Sequence, residues 1–206
     1  MHAISPLHTG IVCRVLVKLE SFLNQEKVVK KMKSDYLFKI VIGGAGRIGK
    51  TTLLYRYMHG SFKEDTRLTI DVEFHTEFLE YNGKKISLSL WDLGGQERFR
   101  FLQPQYVKGA KAGIVFFDMS NLSTISQINE WVDLFRNNAS PSIPIVLGGT
   151  KLDCIDPSEE PVINDRAMEI VTELGLDCYV PTSSKSGTNV KEIITKTVDV
   201  IFAKTK

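Results

Sequence analysis

The chain reads as an α/β protein, a mostly parallel sheet with helices on both faces, and three observations predict that class. From Tyr36 onward, apolar runs of strand length alternate with segments whose apolar residues recur at helical spacing. A glycine-rich loop joins the first such strand to the first such helix. The composition, 43% hydrophobic and 24% charged over 206 residues, suits one well-buried domain plus an appendage.

Taken in order, strands are expected near 37–43, 71–80, 84–91, 112–118, 144–149 and 178–181, with helices near 50–60, 122–138, 164–174 and 188–203. Tyr81-Asn82-Gly83-Lys84 predicts a hairpin, because Asn-Gly supplies the positive φ angles of a tight primed turn. That hairpin makes one edge strand antiparallel in a six-stranded sheet. In the last helix Val190, Ile193, Ile194, Val198, Ile201 and Phe202 form one stripe against the sheet. The chain thus divides into an extension, 1–35, and a domain, 36–206.

Composition narrows the functional classes. A formal net charge of +2 is too small to argue for nucleic acid. Cys13, Cys154 and Cys178 lie far apart and match no metal spacing, as expected of thiols in a reducing compartment. No apolar run approaches the roughly 20 residues that span a bilayer, and the start Met1-His2-Ala3-Ile4-Ser5 lacks a signal-peptide pattern. A cytoplasmic protein is expected.

Chemistry enters at Gly44-Ala45-Gly46-Arg47-Ile48-Gly49-Lys50-Thr51, which fits G-x-x-x-x-G-K-[ST] between the first strand and Thr52-Leu53-Leu54 of the first helix. Glycines let successive backbone N–H groups face phosphate oxygens, and the helix adds its positive end. Lys50 supplies a point charge to the terminal phosphates and Thr51 a hydroxyl for Mg²⁺. A glycine turn before a helix can also be only a tight connection. Read as a phosphate loop, it makes the fold a P-loop NTPase three-layer sandwich that binds a nucleoside triphosphate.

Four further elements follow in register. Trp91-Asp92-Leu93-Gly94-Gly95-Gln96-Glu97 ends the third strand, and Thr69 lies in the loop before the second. Thr150-Lys151-Leu152-Asp153 and Thr182-Ser183-Ser184-Lys185 follow the last two strands. All fall on the edge of the sheet where nucleotides bind in open α/β folds.

With these five elements in place, residues 37–203 resemble the Ras superfamily of small GTPases. The resemblance implies a switch that binds GTP or GDP with Mg²⁺ and slowly hydrolyses GTP, in signalling or trafficking. Thr51, Thr69 and Asp92 would hold the metal. The nucleotide would be bound by Gly44, Gly46, Arg47, Ile48, Gly49, Lys50, Thr51 and Thr52, by Phe62, Thr69 and Gly95, and by Thr150, Lys151, Asp153, Ser183, Ser184 and Lys185. Asp153 would accept two hydrogen bonds from guanine, a donor pair that adenine lacks. Phe62 either lies against the base or is a core phenylalanine. Gln96 would orient the attacking water, with Lys50 and Gly95 completing the catalytic set. Partners implied are an exchange factor, a GTPase-activating protein and effectors. The rival classes are a GTP-binding assembly module with negligible hydrolysis, against which Gln96 argues, and a P-loop kinase, which would need an arginine-rich lid that this sequence does not show.

Some features stay open at this level. Arg47 and Arg67 are either surface residues or cations near the phosphates. Phe99 and Leu102, in Arg98-Phe99-Arg100-Phe101-Leu102, are either buried or part of a binding surface. Ile70-Asp71-Val72-Glu73-Phe74 and Tyr106-Val107-Lys108-Gly109-Ala110 look Rab-like, Leu93-Gly94-Gly95 Arf-like and Thr150 Rho-like. Thr150 in place of asparagine puts in doubt a brace between base loop and phosphate loop. The end Phe202-Ala203-Lys204-Thr205-Lys206 has no cysteine, so no prenylation is expected. Within 1–35, Val12, Val15, Leu16, Leu19, Phe22 and Leu23 recur at helical spacing among basic residues. That segment could contact a membrane, meet a protein surface or be disordered.

Overall fold

The computed structural model describes residues 34–64, 69, 72–95 and 97–205. The expectations for Gln96, Arg67, Cys13 and nearly all of the 1–35 extension therefore lie outside the described residues.

Six strands form one sheet: β1 (Tyr36–Gly44), β2 (Val72–Tyr81), β3 (Lys84–Leu93), β4 (Ala112–Asp118), β5 (Ile145–Thr150) and β6 (Cys178–Pro181), in the order β2-β3-β1-β4-β5-β6. Strands β1, β4, β5 and β6 pair in parallel. Strand β2 is the antiparallel edge strand. The helices are α1 (Lys50–His59), α2 (Gln103–Val107), α3 (Ile128–Asn138), α4 (Glu160–Leu174) and α5 (Val190–Lys204).

Two compact units share these elements. The smaller contains residues 34–37 and 78–87 among those described. Its turn has the predicted chemistry, with Asn82 at φ 50° and Gly83 at φ 71°. Asp35 clamps the strand beyond the turn, donating its N–H to the Lys85 carbonyl at 2.7 Å and accepting the Lys85 N–H on Oδ2 at 2.8 Å.

The larger unit, Phe38–Glu77 with Leu88–Lys206, carries the core. Ile40, Ile42, Ile114, Phe116, Val146 and Leu147 are fully buried, the near-continuous apolar pattern of a parallel sheet covered on both faces. On one face Trp131 and Phe135 of α3 lie so close to the sheet that a Cβ at Gly113 would sit 2.3 Å from the Phe135 ring. On the other face Phe202 of α5 meets Phe38 edge-on at 5.4 Å, and Ile193, Ile194 and Val198 are buried.

Two local expectations shift, and two elements are new. Helix α4 begins at Glu160 rather than near 164, because Pro161 sits in the first turn, where its missing N–H has no intrahelical partner to lose. The expected helix over 122–138 is a 3₁₀ segment, Leu122–Gln127, followed by α3. There Asn121 accepts from Ser123, while Thr124 and Ser126 hydroxyls donate to carbonyls three residues back, local bonds that compete with the α ladder. A 3₁₀ segment over Glu97–Leu102 and the short α2 were not anticipated.

Candidate nucleotide site

The loop between β1 and α1 wraps around one side chain. Lys50 is buried and its ammonium donates to the Gly44 and Ala45 carbonyls at 2.9 and 2.8 Å. Burial lowers its pKa to about 8, against the raising influence of the Asp92 carboxylate. Gly49 (φ 97°) supplies the left-handed residue that turns the loop into the helix.

Asp92, at the end of β3, is fully buried beside the first turn of α1. Its Oδ2 accepts the Thr51 hydroxyl at 2.5 Å, and Thr51 Oγ1 in turn lies 2.6 Å from Thr69 Oγ1. One proton each makes Thr51 the donor to Asp92 and Thr69 the donor to Thr51, with Asp92 at 3.3 Å as the alternative acceptor for Thr69. Burial pushes the Asp92 carboxyl above its ordinary range, with Lys50 and the two hydroxyls opposing. Oδ1 of Asp92 is buried with no hydrogen-bond partner among the described residues. An orphaned carboxylate oxygen beside two hydroxyls is a hard-oxygen donor set that fits Mg²⁺, an ion that takes few protein ligands and keeps the rest for phosphate and water. Among the described residues no cluster of three His, Cys, Asp or Glu offers another metal site.

Gly95 follows β3 and packs directly on the phosphate loop. A Cβ there would fall 2.5 Å from the Gly46 nitrogen and 2.7 Å from the Gly44 carbonyl oxygen. Only glycine allows that approach. The buried Gln103 amide donates to the Gly94 carbonyl at 3.0 Å and fixes this segment from behind.

The opposite end is built by β5 and β6. Thr150 Oγ1 donates to Ile48 O at 2.6 Å, with Phe117 O at 3.0 Å as a second acceptor. The brace that the missing asparagine put in doubt is therefore made by the threonine hydroxyl. Lys151, in the left-handed region at φ 61°, places its ammonium 2.6 Å from the buried Asp118 carboxylate. Asp153 accepts the Ser183 hydroxyl on Oδ1 at 2.5 Å and the Cys154 thiol on Oδ2 at 3.5 Å. Partial burial raises its pKa, but the Ser183 hydroxyl, a backbone N–H, the Cys154 thiol and the Lys185 charge together outweigh it, leaving a net lowering. The carboxylate stays charged and able to accept hydrogen bonds.

A cavity of about 400 Å³ joins the two ends. It is lined by the predicted Gly46, Arg47, Ile48, Gly49, Lys50, Thr51, Thr52, Phe62, Thr69, Gly95, Thr150, Lys151, Asp153, Ser184 and Lys185. Phe62 is 39% exposed and on the cavity wall, which removes the core reading. Gly44, Asp92 and Ser183 stand behind that wall, holding Lys50, Thr51 and Asp153 respectively. Leu102 is half-buried and Phe101 is 64% exposed, while the side chain of Phe99 lies outside what is described.

Sequence reasoning missed Glu64 and Cys154 on the wall, and Gln103 and Asp118 behind it. The first two are neighbours of motif residues; the last two carry no local signal. Among the described residues no helix is long and apolar enough to cross a membrane.

Comparison with known proteins agrees with this geometry. The Ras family model matches residues 39–203. Rab-3 of Caenorhabditis elegans is 32% identical over 170 residues, covering 82% of this chain and 76% of that protein. Rab11A of Lotus japonicus is 33% identical over 170 residues, with 82% and 74% covered, and human Rab-4B is 34% identical, with 82% and 78% covered. With the phosphate loop, the buried Asp92 and the cavity-lining Asp153 in one fold, these matches mean that the chain belongs to the Ras family, as a Rab-like small GTPase.

Proposed function

We propose that this GTP-binding switch holds GTP and GDP with Mg²⁺ in the cavity between Lys50 and Asp153 and slowly hydrolyses GTP to GDP and phosphate. The observation that carries the reading is the convergence of Thr51, Thr69 and Asp92, whose Oδ1 is buried without a partner, on the phosphate side of that cavity. Bound there by Thr51, Thr69 and Asp92, Mg²⁺ supplies charge against the phosphate oxygens. Lys50 and the loop N–H groups hold those oxygens in place. Gln96, next to the Gly95 backbone, orients the attacking water. Asp153 accepts the guanine N–H and amine, and a carboxylate facing adenine would lose both partners.

Thr69 and Gly95 both reach the terminal phosphate in this arrangement, so the loops that carry them are held in the GTP state and released after hydrolysis. Effectors read that difference, with an exchange factor and an activating protein setting its timing. The test is to identify the nucleotide that co-purifies and to follow single-turnover hydrolysis in the wild type and in Gln96→Leu. Guanine nucleotide with slow turnover, lost in the variant, supports the proposal. Adenine nucleotide would overturn it, and equal rates in the two proteins would remove Gln96 from the mechanism.

A further inference from the structure

Arg47 occupies the third position after Gly44 in the phosphate loop, and its backbone lies in the left-handed region at φ 65°. An L-residue with a side chain is strained there, whereas glycine adopts that conformation freely. A residue held in such a conformation needs a reason that packing does not give: Arg47 is exposed, and among the described residues its guanidinium has no ion-pair or hydrogen-bond partner. It nevertheless lines the cavity.

The two cations of the loop are arranged differently. Lys50 is buried and tied from within to the Gly44 and Ala45 carbonyls. Arg47 stands on the cavity lip with its donors uncommitted among the described residues. A planar guanidinium with five N–H donors suits a phosphate group, which can accept two of them side by side. Among the described residues no carboxylate forms an ion pair with it: Asp92 is bonded to Thr51, Asp118 is paired with Lys151, Asp153 is bonded to Ser183 and Cys154, and Glu64 shares the cavity wall without a salt bridge to it.

The geometry points to Arg47 as a positioning residue that clamps the phosphate chain of the bound nucleotide from the solvent side and slows its release. This inference rests on the nucleotide reading above. The strained backbone is the means by which the loop keeps a second cation at its lip, a role that glycine at the same position could not fill.

The test measures dissociation of fluorescently labelled GDP and GTP from the Mg²⁺-loaded full chain for the wild type, Arg47→Gln and Arg47→Lys. Glutamine keeps the Cβ, and so the strain, while removing the charge. The usual strength of a hydrogen bond to a charged group predicts that Arg47→Gln releases both nucleotides about tenfold faster. The difference should shrink in 1 M salt, where exposed charges are screened, and Arg47→Lys should recover most of the slow release. Equal release from wild type and Arg47→Gln overturns the inference, as does a tenfold effect that salt leaves untouched. A wild type that binds no guanine nucleotide sinks the broader reading instead, so the two failures are separable.

Discussion

The Thr150 hydroxyl and the Ile48 carbonyl, 102 residues apart in sequence, are joined by a buried hydrogen bond of 2.6 Å that ties the base loop to the phosphate loop. Removing the hydroxyl while keeping the shape isolates its contribution. Thr150→Val should lower stability by about 1–3 kcal/mol, since it leaves a buried carbonyl without that donor. Urea denaturation measures the loss, and Thr150→Ser, which keeps the donor, should stay close to wild type. A valine variant as stable as wild type would show that Ile48 finds another partner.

Gly95 leaves no room for a side chain against the Gly46 nitrogen. In Gly95→Ala two backbone segments must separate, whereas the base side is untouched. The variant should fold and hold GDP, but lose about tenfold in GTP affinity through a misplaced N–H donor. Limited proteolysis across residues 60–105 should then give the same pattern with GDP and with a non-hydrolysable GTP analogue. A retained difference would place the terminal-phosphate sensor elsewhere.

Lys50 gives the site a pH dependence. In the free chain its pKa is about 8, and phosphate oxygens raise it on binding, so above pH 8 binding takes up a proton. Affinity therefore falls as pH rises above 8, by up to about tenfold per unit, and this group contributes no slope below it. Lys50→Arg stays charged and should lack that component. Nucleotide titrations of both proteins from pH 7 to 9.5 check the difference; parallel curves would rule out a lowered lysine pKa.

Cys154 is an exposed thiol on the cavity wall beside Asp153. Burial first, then the Asp153 carboxylate, raises its pKa, so alkylation by iodoacetamide should be slow at neutral pH and quicken as pH rises. Bound GDP should slow it further by covering the thiol. Mass spectrometry of the modified peptide gives both rates, and equal rates with and without GDP would move the base away from Asp153.

Much of this was legible in the sequence because the relevant signals are local. The strands came from apolar runs, and Lys50, Thr51, Asp92 and Asp153 from motifs in which each residue type has a chemical reason. What was not legible depends on proximity created by folding. Gln103 reaches Gly94 through a 3₁₀ segment that has no apolar period, and Asp118 meets Lys151 across adjacent strands. The start of α4 was misplaced because Pro161 reads as a breaker unless the first turn is already known. Arg47 was visible as a residue, but its left-handed backbone, and a guanidinium without a partner among the described residues, belong to the folded loop.

The base-side shelf is assembled by the chain itself: Asp118 steadies Lys151, Ser183 steadies Asp153, and the Thr182 N–H reaches the Gly149 carbonyl at 2.6 Å. Such preorganisation strengthens binding by sparing the side chains an entropy loss when ligand arrives. On the proposed function it would strengthen GDP and GTP binding equally, because both present the same base. An element that treats two ligands alike cannot shift a population between the states they select. Identity of the base and timing of the switch are thus separately adjustable. A chain re-specified for xanthine by Asp153→Asn, where the amide can donate to the carbonyl that replaces the guanine amine, should keep the wild-type hydrolysis rate on its new nucleotide.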